Sequence, residues 1–224
     1  MPVPSIIAID GPAASGKSTL GRRLADSLDY LFFDTGVMYR AVTWVTLQRG
    51  VEVQDESAVT HLAETVQIDV RPPSKEDGRA CDVLVDGIDI TWETRTPEVE
   101  ANVSPVSTYR GVRQALAAQQ RRIGLRGRVV MVGRDIGTVV LPEADLKIYL
   151  DASAKERARR RYTEIIKRGG EAEYKQILAG VRGRDKIDSS RAFSPLRAAG
   201  DAIILDSDKL SADEVFSKVE ALCR

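Results

Sequence analysis

An α/β fold, a parallel sheet flanked by helices, is what three features of this 224-residue chain predict. Short apolar segments alternate with stretches of helical spacing, the pattern of βαβ units covered on both faces. The first apolar segment runs directly into Gly11-Pro12-Ala13-Ala14-Ser15-Gly16-Lys17-Ser18-Thr19, a glycine-rich turn that opens a helix. One stretch, 66–103, breaks the alternation with a period of two, as a small antiparallel insert does.

The core strands are expected at 6–10, 30–33, 128–132, 146–150 and 202–205, each short and apolar. In the insert, residues 67–70, 80–85 and 88–90 alternate apolar and polar residues and are separated by Gly-containing turns. Lys167-Arg168-Gly169-Gly170-Glu171 interrupts two highly charged helices and reads as a hinge or loop tip. Ser211 with Glu214 has the spacing of a capping box opening a last amphipathic helix. Ligands of parallel sheets bind outside the carboxyl ends of the strands. Asp10–Thr19, Asp34-Thr35-Gly36, Gly133-Arg134-Asp135 and the Asp206 region are therefore expected to face one crevice.

The glycine-rich turn matches G-x-x-x-x-G-K-[ST] in its required strand–loop–helix setting. Gly11 and Gly16 permit torsions that aim successive N–H groups inward, forming an anion nest. The following helix directs its positive end at the same point. Lys17 adds a mobile charge for β- and γ-phosphates, and the Ser18 hydroxyl is a candidate Mg²⁺ ligand. A nucleoside triphosphate is the ligand these residues predict.

Composition narrows the classes. Basic and acidic side chains number 33 each, so no chain-wide nucleic-acid footprint is expected. Cys81 and Cys223 are far apart and fit neither a disulfide framework nor a zinc site, which suits a reducing cytosol. His61 is the single histidine, leaving Ser–His or multi-His metal chemistry without material. No secretory leader or long apolar span is read, so a cytoplasmic chain is expected.

Further candidates follow the strands. Asp34-Thr35 precedes a helix as a cap would, and Arg40, one turn in, is placed to reach an acceptor phosphate. Gly133-Arg134-Asp135-Ile136-Gly137-Thr138 sits directly after a buried strand; an Arg134–Asp135 ion pair is the simpler reading, a ligand loop the richer one. Arg157 and Arg161 share a helix face. Arg182, Arg184, Asp185, Asp188 and Arg191 follow the glycine break, and read alone they describe solvated helix faces, an RNA-binding patch or a lid. Beside a phosphate-binding loop, a hinged arginine-rich segment reads best as a lid.

Over essentially its whole length the chain resembles the bacterial cytidylate kinases, members of the nucleoside monophosphate kinase group. The residues that carry the resemblance are Asp10-Gly11-Pro12-Ala13, Asp34-Thr35-Gly36-x-Met38-Tyr39-Arg40, the insert, and Gly133-Arg134-Asp135-x-Gly137-Thr138-Val139-Val140. Arg157-Ala158-x-Arg160-Arg161 and Arg184-Asp185-x-x-Asp188-Ser189-x-Arg191 complete it. The resemblance implies one kinase domain with a core (1–34, 106–160, 192–224), a monophosphate-binding region (35–105) and a lid (161–191). It implies transfer of the γ-phosphoryl group of ATP to CMP, and to dCMP, with Mg²⁺, by a cytoplasmic monomer whose partners are small nucleotides rather than nucleic acid or membrane.

The same resemblance implies roles at matching positions. Residues 11–19 would bind ATP, with Arg157 against the adenine and Arg161 helping to carry the phosphates. Arg40, Arg134 and Arg191 would hold the acceptor phosphate. Ser104, Arg113 and Asp135 would read cytosine, Asp188 and Arg184 would hold the ribose, and Thr35 would complete the CMP site. Transfer itself would rest on Lys17, Arg134, Arg161, Arg184 and Arg191, with Ser18 as the metal ligand. One residue departs from the family pattern: an acid ordinarily precedes Gly-Arg-Asp, and here it is Val132. Weaker Mg²⁺ handling or lower turnover is the expectation, with Asp10, Asp34 and Asp135 as candidates to compensate and cytidine selectivity unaffected.

Two other readings are weaker. A phosphate-loop kinase with another acceptor would not need the insert or the pairing of Gly-Arg-Asp with Asp-x-x-Arg. A GTPase-type switch should carry N-K-x-D, and the chain has none.

Overall fold

The computed structural model describes residues 3–191 and 193–224; residues 1, 2 and 192, which fall within the expected core segments, lie outside the described residues. The chain begins with β1 (Ile6–Asp10) and α1 (Lys17–Leu28), followed by β2 (Leu31–Asp34) and α2 (Gly36–Gln48). Next come α3 (Glu56–Thr65), β3 (Ile68–Arg71), β4 (Asp82–Val85), β5 (Ile88–Asp89), a 3₁₀ turn at Glu93–Arg95, α4 (Pro97–Val106) and α5 (Arg110–Gly124). The last third holds β6 (Val129–Gly133), a π turn (Ile136–Val140), β7 (Leu146–Asp151), α6 (Ala154–Lys167), α7 (Tyr174–Ser190), β8 (Ile203–Asp206) and α8 (Ala212–Glu220). The strands form a five-stranded parallel sheet in the order β2-β6-β1-β7-β8 and a separate three-stranded sheet, β3-β4-β5. Every expected core strand is present, displaced by at most one residue at either end.

The residues group into two compact units, Met1–Leu28 with Val130–Arg224, and Asp29–Val129. In the first, β1 lies against β7 with Ile7 opposite Leu146 and Asp10 opposite Tyr149, and β7 pairs β8 with Asp151 opposite Asp206. Ile7, Ala8, Ile9, Val130, Met131 and Ile148 are buried, the near-continuous apolar run of strands covered on both faces. Leu20, Leu24 and Ala25 recur at helical spacing and turn one face of α1 inward. Ser211 and Glu214 exchange the two bonds of a capping box at the start of α8. Arg23 of α1 stacks on Phe216 at 4.4 Å and pairs with Asp213, fastening these two helices. The α6 helix continues unbroken past 161 to Lys167, and the chain reverses through Gly169, whose φ is +77°. Tyr162 and Tyr174 meet edge to face across that reversal, 6.4 Å between ring centres.

In the second unit the insert is narrower than the pattern suggested. Its strands end at Asp89, and α4 starts at Pro97, where Thr96 accepts the N–H of Val99 and proline loses no helical bond. Asp86 (φ +50°) and Gly87 (φ +85°) make the type I′ turn that matches strand twist in a two-residue hairpin. Gln119 of α5 accepts the N–H of Ile68 and donates to the carbonyl of Val66, occupying polar backbone beside β3. Arg79, buried in the β3–β4 connection, bonds Asp77, Asp82 and Asp89. That guanidinium holds Asp77 and Asp89 well below the usual carboxylate range. Cys81 and Cys223 are both buried and form no disulfide.

The α3–α5 contact supplies a test. A Cβ on Gly111 would overlap the Thr60 methyl and lie 2.8 Å from its hydroxyl. Gly111→Ala should cost about 1–3 kcal/mol through overpacking. In a Thr60→Ala background the same change should become neutral or stabilising, because alanine favours helix. Urea unfolding of the four proteins measures this, and an equal cost in both backgrounds would refute the close packing.

Candidate nucleotide-binding site

The glycine-rich loop has the geometry its sequence requires. Gly11 has φ +148° and Gly16 φ +99°, and a Cβ on Gly11 would overlap the carbonyl oxygen of Leu150 in β7. Ala14 holds the left-handed region as well, at φ +61°. Lys17 is buried, and its Nζ donates to the Pro12 carbonyl at 2.7 Å. Ser18 and Thr19 are exposed in the first turn of α1, whose dipole adds positive potential at that end.

Carbonyls of the loop are held by two arginines of α6. Arg157 Nη1 donates to the Ala13 carbonyl at 3.1 Å, and Arg160 Nη1 donates to that of Ser15 at 3.2 Å. Arg157 is 3% exposed; its Nε donates to the Ala152 carbonyl, and Asp185 of α7 takes both its terminal nitrogens at 2.9 and 2.6 Å. Arg160 also donates to the hydroxyl and carbonyl of Ser207, at 3.1 and 2.5 Å, and to Glu156 at 2.8 Å. Thr19, Leu150, Arg160, Ser207 and Leu210 help line a cavity of about 320 Å³ beside the loop. Arg161 projects outward and pairs with Glu164 at 3.1 Å.

Asp10 joins the loop to the Gly-Arg-Asp turn. Its Oδ1 and Oδ2 accept the N–H groups of Ile136 and Gly137 at 2.8 and 2.7 Å. Burial pushes this carboxyl up to about 6, against the pull of the two N–H groups and of Lys17, with Asp135 adding to the rise. Arg134 reaches Asp188 of α7 at 2.7 Å. Asp188 is fully buried and is also paired with Arg191 at 2.6 Å and Arg184 at 3.2 Å. Its desolvation would raise the carboxyl, but the three guanidiniums outweigh that and hold it below the ordinary range. Asp135 is buried at the same turn.

The remaining acceptor candidates lie in the Asp29–Val129 unit. Thr35 is buried at the entry to α2, where the Asp34 side chain, rather than that of Thr35, accepts the Gly36 N–H. Arg40 places Nη2 and Nε on one oxygen of Glu100, at 2.8 and 3.2 Å. Ser104 is exposed on α4. Arg113 is buried in α5, its guanidinium 5.6 Å from the Tyr39 ring and donating to the Ser107 carbonyl. Arg134, Arg184, Asp188 and Arg191 thus form one cluster, while Arg40 and Arg113 each have partners of their own within the second unit.

Three participants had no role assigned from sequence: Arg160 and Asp185, which appear there only within motifs, and Ser207, which lies in the Asp206 region. Arg160 and Arg161 are three and four residues beyond Arg157, so spacing placed both on its face and could not choose. Among the described residues no group of three or more His, Cys, Asp or Glu side chains could hold a metal ion. None of their helices is long and apolar enough to cross a membrane.

Comparison with known proteins shows the family. A family model described as Cytidylate kinase matches residues 7–224. The chain is 50% identical over 222 residues to a protein of Herpetosiphon aurantiacus named "Cytidylate kinase", covering 99% of this chain and 95% of that one. It is 52% identical over 222 residues to one of the same name from Roseiflexus castenholzii, covering 99% and 94%. A solved structure of an uncharacterized protein from Eubacterium ventriosum shares the fold at TM-score 0.51 and 14% identity, covering 97% of both chains.

Asp10 gives a pH prediction. A buried acid whose pKa is about 6 when folded and 3.8 when unfolded binds its proton more tightly in the folded state. Its stabilisation is complete below about pH 4 and lost as pH rises through 6. Relative to Asp10→Asn, the native chain should lose about 2–3 kcal/mol of stability between pH 4 and 7. Urea titrations of both proteins across that window measure it; a constant difference would contradict the raised carboxyl.

Proposed function

The chain belongs to the cytidylate kinase family, and from that membership we propose that it transfers the γ-phosphoryl group of ATP to CMP, giving ADP and CDP, and accepts dCMP as well. The observation that carries this reading is a phosphate-binding loop, with Lys17 in place, in the same compact unit as the Arg134–Asp188–Arg184–Arg191 cluster. One feature suits a triphosphate donor and the other a phosphorylated acceptor.

The acceptor is a phosphate oxygen, already anionic at neutral pH, so no general base is required. It attacks the γ-phosphorus, the bond from that phosphorus to the β,γ-bridging oxygen breaks, and ADP leaves with the electron pair. The obstacle is bringing two polyanions together, and positioning with charge neutralisation overcomes it. Residues 11–19 receive the ATP phosphates, with Lys17 moving from the Pro12 carbonyl to the β- and γ-oxygens. Arg40, Arg134 and Arg191 serve the acceptor phosphate, and Arg161 and Arg184 add charge during transfer. Asp188 keeps the guanidiniums of its cluster from repelling one another before substrate arrives, and it meets the ribose afterwards. Thr35, Ser104 and Arg113 complete the acceptor site. We read 35–105 as the acceptor-binding region and 161–191 as a lid that excludes water and so limits ATP hydrolysis. The enzyme works as a monomer in the cytoplasm on small nucleotides, a setting that suits two cysteines outside any disulfide.

Mg²⁺ fits the residues present, though narrowly. The exposed Ser18 hydroxyl is suited to hold it; each oxygen of Asp10 already accepts a backbone N–H group, and Val132, next to last in β6, brings no side-chain oxygen. Mg²⁺ commonly keeps several waters and takes its other ligands from the nucleotide, so a single protein hydroxyl suffices. Held there, the ion would supply charge neutralisation for the phosphates of the donor.

Cytosine recognition follows from donor chemistry. Asp135 accepts from the N4 amino group of cytosine and repels the O4 carbonyl of uracil. Asp135→Asn should lower the CMP-over-UMP ratio of kcat/KM at least about tenfold, more than it lowers turnover with CMP, since a buried unpaired group is what rejects the wrong base. Steady-state rates with both acceptors decide this, and an unchanged ratio removes Asp135 from base reading. For the reaction itself, ADP release from the native chain with a panel of nucleoside monophosphates should depend on CMP or dCMP. Release independent of the acceptor would instead mark an ATPase.

A further inference from the structure

Resting on the reading that the loop receives a polyphosphate, we propose that Arg157 and Arg160 are positioning residues that set the anion nest from behind, by holding its carbonyl groups outward. A trans peptide is planar, so the C=O of one residue and the N–H of the next point in opposite directions. No cis peptide occurs among the described residues. Fixing the Ala13 carbonyl on Arg157 therefore turns the Ala14 N–H the other way, and fixing the Ser15 carbonyl on Arg160 does the same for the Gly16 N–H. The Pro12 carbonyl is taken by Lys17 Nζ and by the Ser15 N–H, which orients the Ala13 N–H likewise. Three anchors, on the carbonyls of Pro12, Ala13 and Ser15, thus aim the Ala13, Ala14 and Gly16 N–H groups into the concave nest that binds an anion.

The arginines are suited to this role because their other bonds are already committed. Arg157 is almost wholly buried between Asp185, the Ala152 carbonyl and the loop. Arg160 is braced by Glu156 and Ser207. Lys17 is a mobile monodentate cation, whereas each guanidinium spans several acceptors in a rigid plane. The anchors also keep Ala14, a non-glycine residue, at φ +61°, a conformation that persists only where its surroundings over-determine it. Because Asp185 belongs to α7, the setting of the loop is tied to the helix that carries Asp188.

The experiment compares Arg160→Ala and the conservative Arg157→Lys with the native chain. Affinities for ATP and for inorganic tripolyphosphate are measured by calorimetry, and amide hydrogen exchange of the 11–17 segment is followed without nucleotide. Each variant should weaken both ligands by the same factor, about tenfold for one lost charge-assisted hydrogen bond, raise the KM for ATP but not that for CMP, and speed exchange in the loop. If ATP affinity falls while tripolyphosphate binds as before, the arginines read the base and the proposal fails. If both affinities fall with exchange unchanged, they touch phosphate directly, and it fails again. These readings use no acceptor, so a native chain that bound tripolyphosphate but did not phosphorylate CMP would overturn the kinase reading alone. Should Arg160→Ala unfold the chain, Arg157→Lys still decides the matter, since it keeps the charge and cannot span Ala13 and Asp185 together.

Discussion

The carboxylate of Asp10 accepts the N–H groups of Ile136 and Gly137, and the arrangement of the first unit turns on that grip. It sits at the last residue of β1, where the strand becomes the phosphate-binding loop. Through it the loop and the Gly-Arg-Asp turn share one anchor, so neither can shift without the other. A Cβ on Gly137 would lie 3.4 Å from Asp10 Oδ2 and 3.2 Å from Lys147, tight enough to explain a glycine there. Burying an acid in this way is costly, and the cost appears as the raised carboxyl.

Around that anchor, the first unit handles its charges by pairing unequal numbers. Asp188 meets three guanidiniums, leaving net positive charge where a phosphorylated ligand is proposed to sit. Arg79 in the second unit shows the opposite balance, one guanidinium among three carboxylates. The first cluster retains affinity for an anion, and the second is self-satisfied and braces a turn. Buried ion pairs are weak evidence for stability alone, and the sign of the surplus distinguishes a ligand site from a structural brace.

Much of the fold was legible. Period-two and period-3.6 patterns located the strands and helices because burial on one or both faces imposes those periods. Thr96-Pro97 was a helix start of the usual kind, yet the alternating pattern before it drew the insert too far, to 103. Gly11 and Gly16 were readable because a nest requires torsions that glycine reaches most easily. Ala14 carried no such signal, since nothing in an alanine announces a positive φ. The family itself was legible from motifs spread between Asp10 and Arg191, above all the Gly133-Arg134-Asp135 and Arg184-Asp185 runs, and the matches over nearly the whole chain agree.

The linear order of residues determined the phosphate-binding loop, the alternation of strands and helices and the capping box at Ser211, because each depends on neighbours within a few positions, and it determined the family through several such short motifs along the chain. Tertiary structure alone decided that Arg134 pairs with Asp188, 54 residues away, and that Arg157 joins Ala13 to Asp185. It also chose Arg160 over Arg161 as the second arginine on the loop. Such choices depend on which helix face meets which strand end, and a guanidinium that reaches several acceptors leaves no mark of its partner in the local sequence.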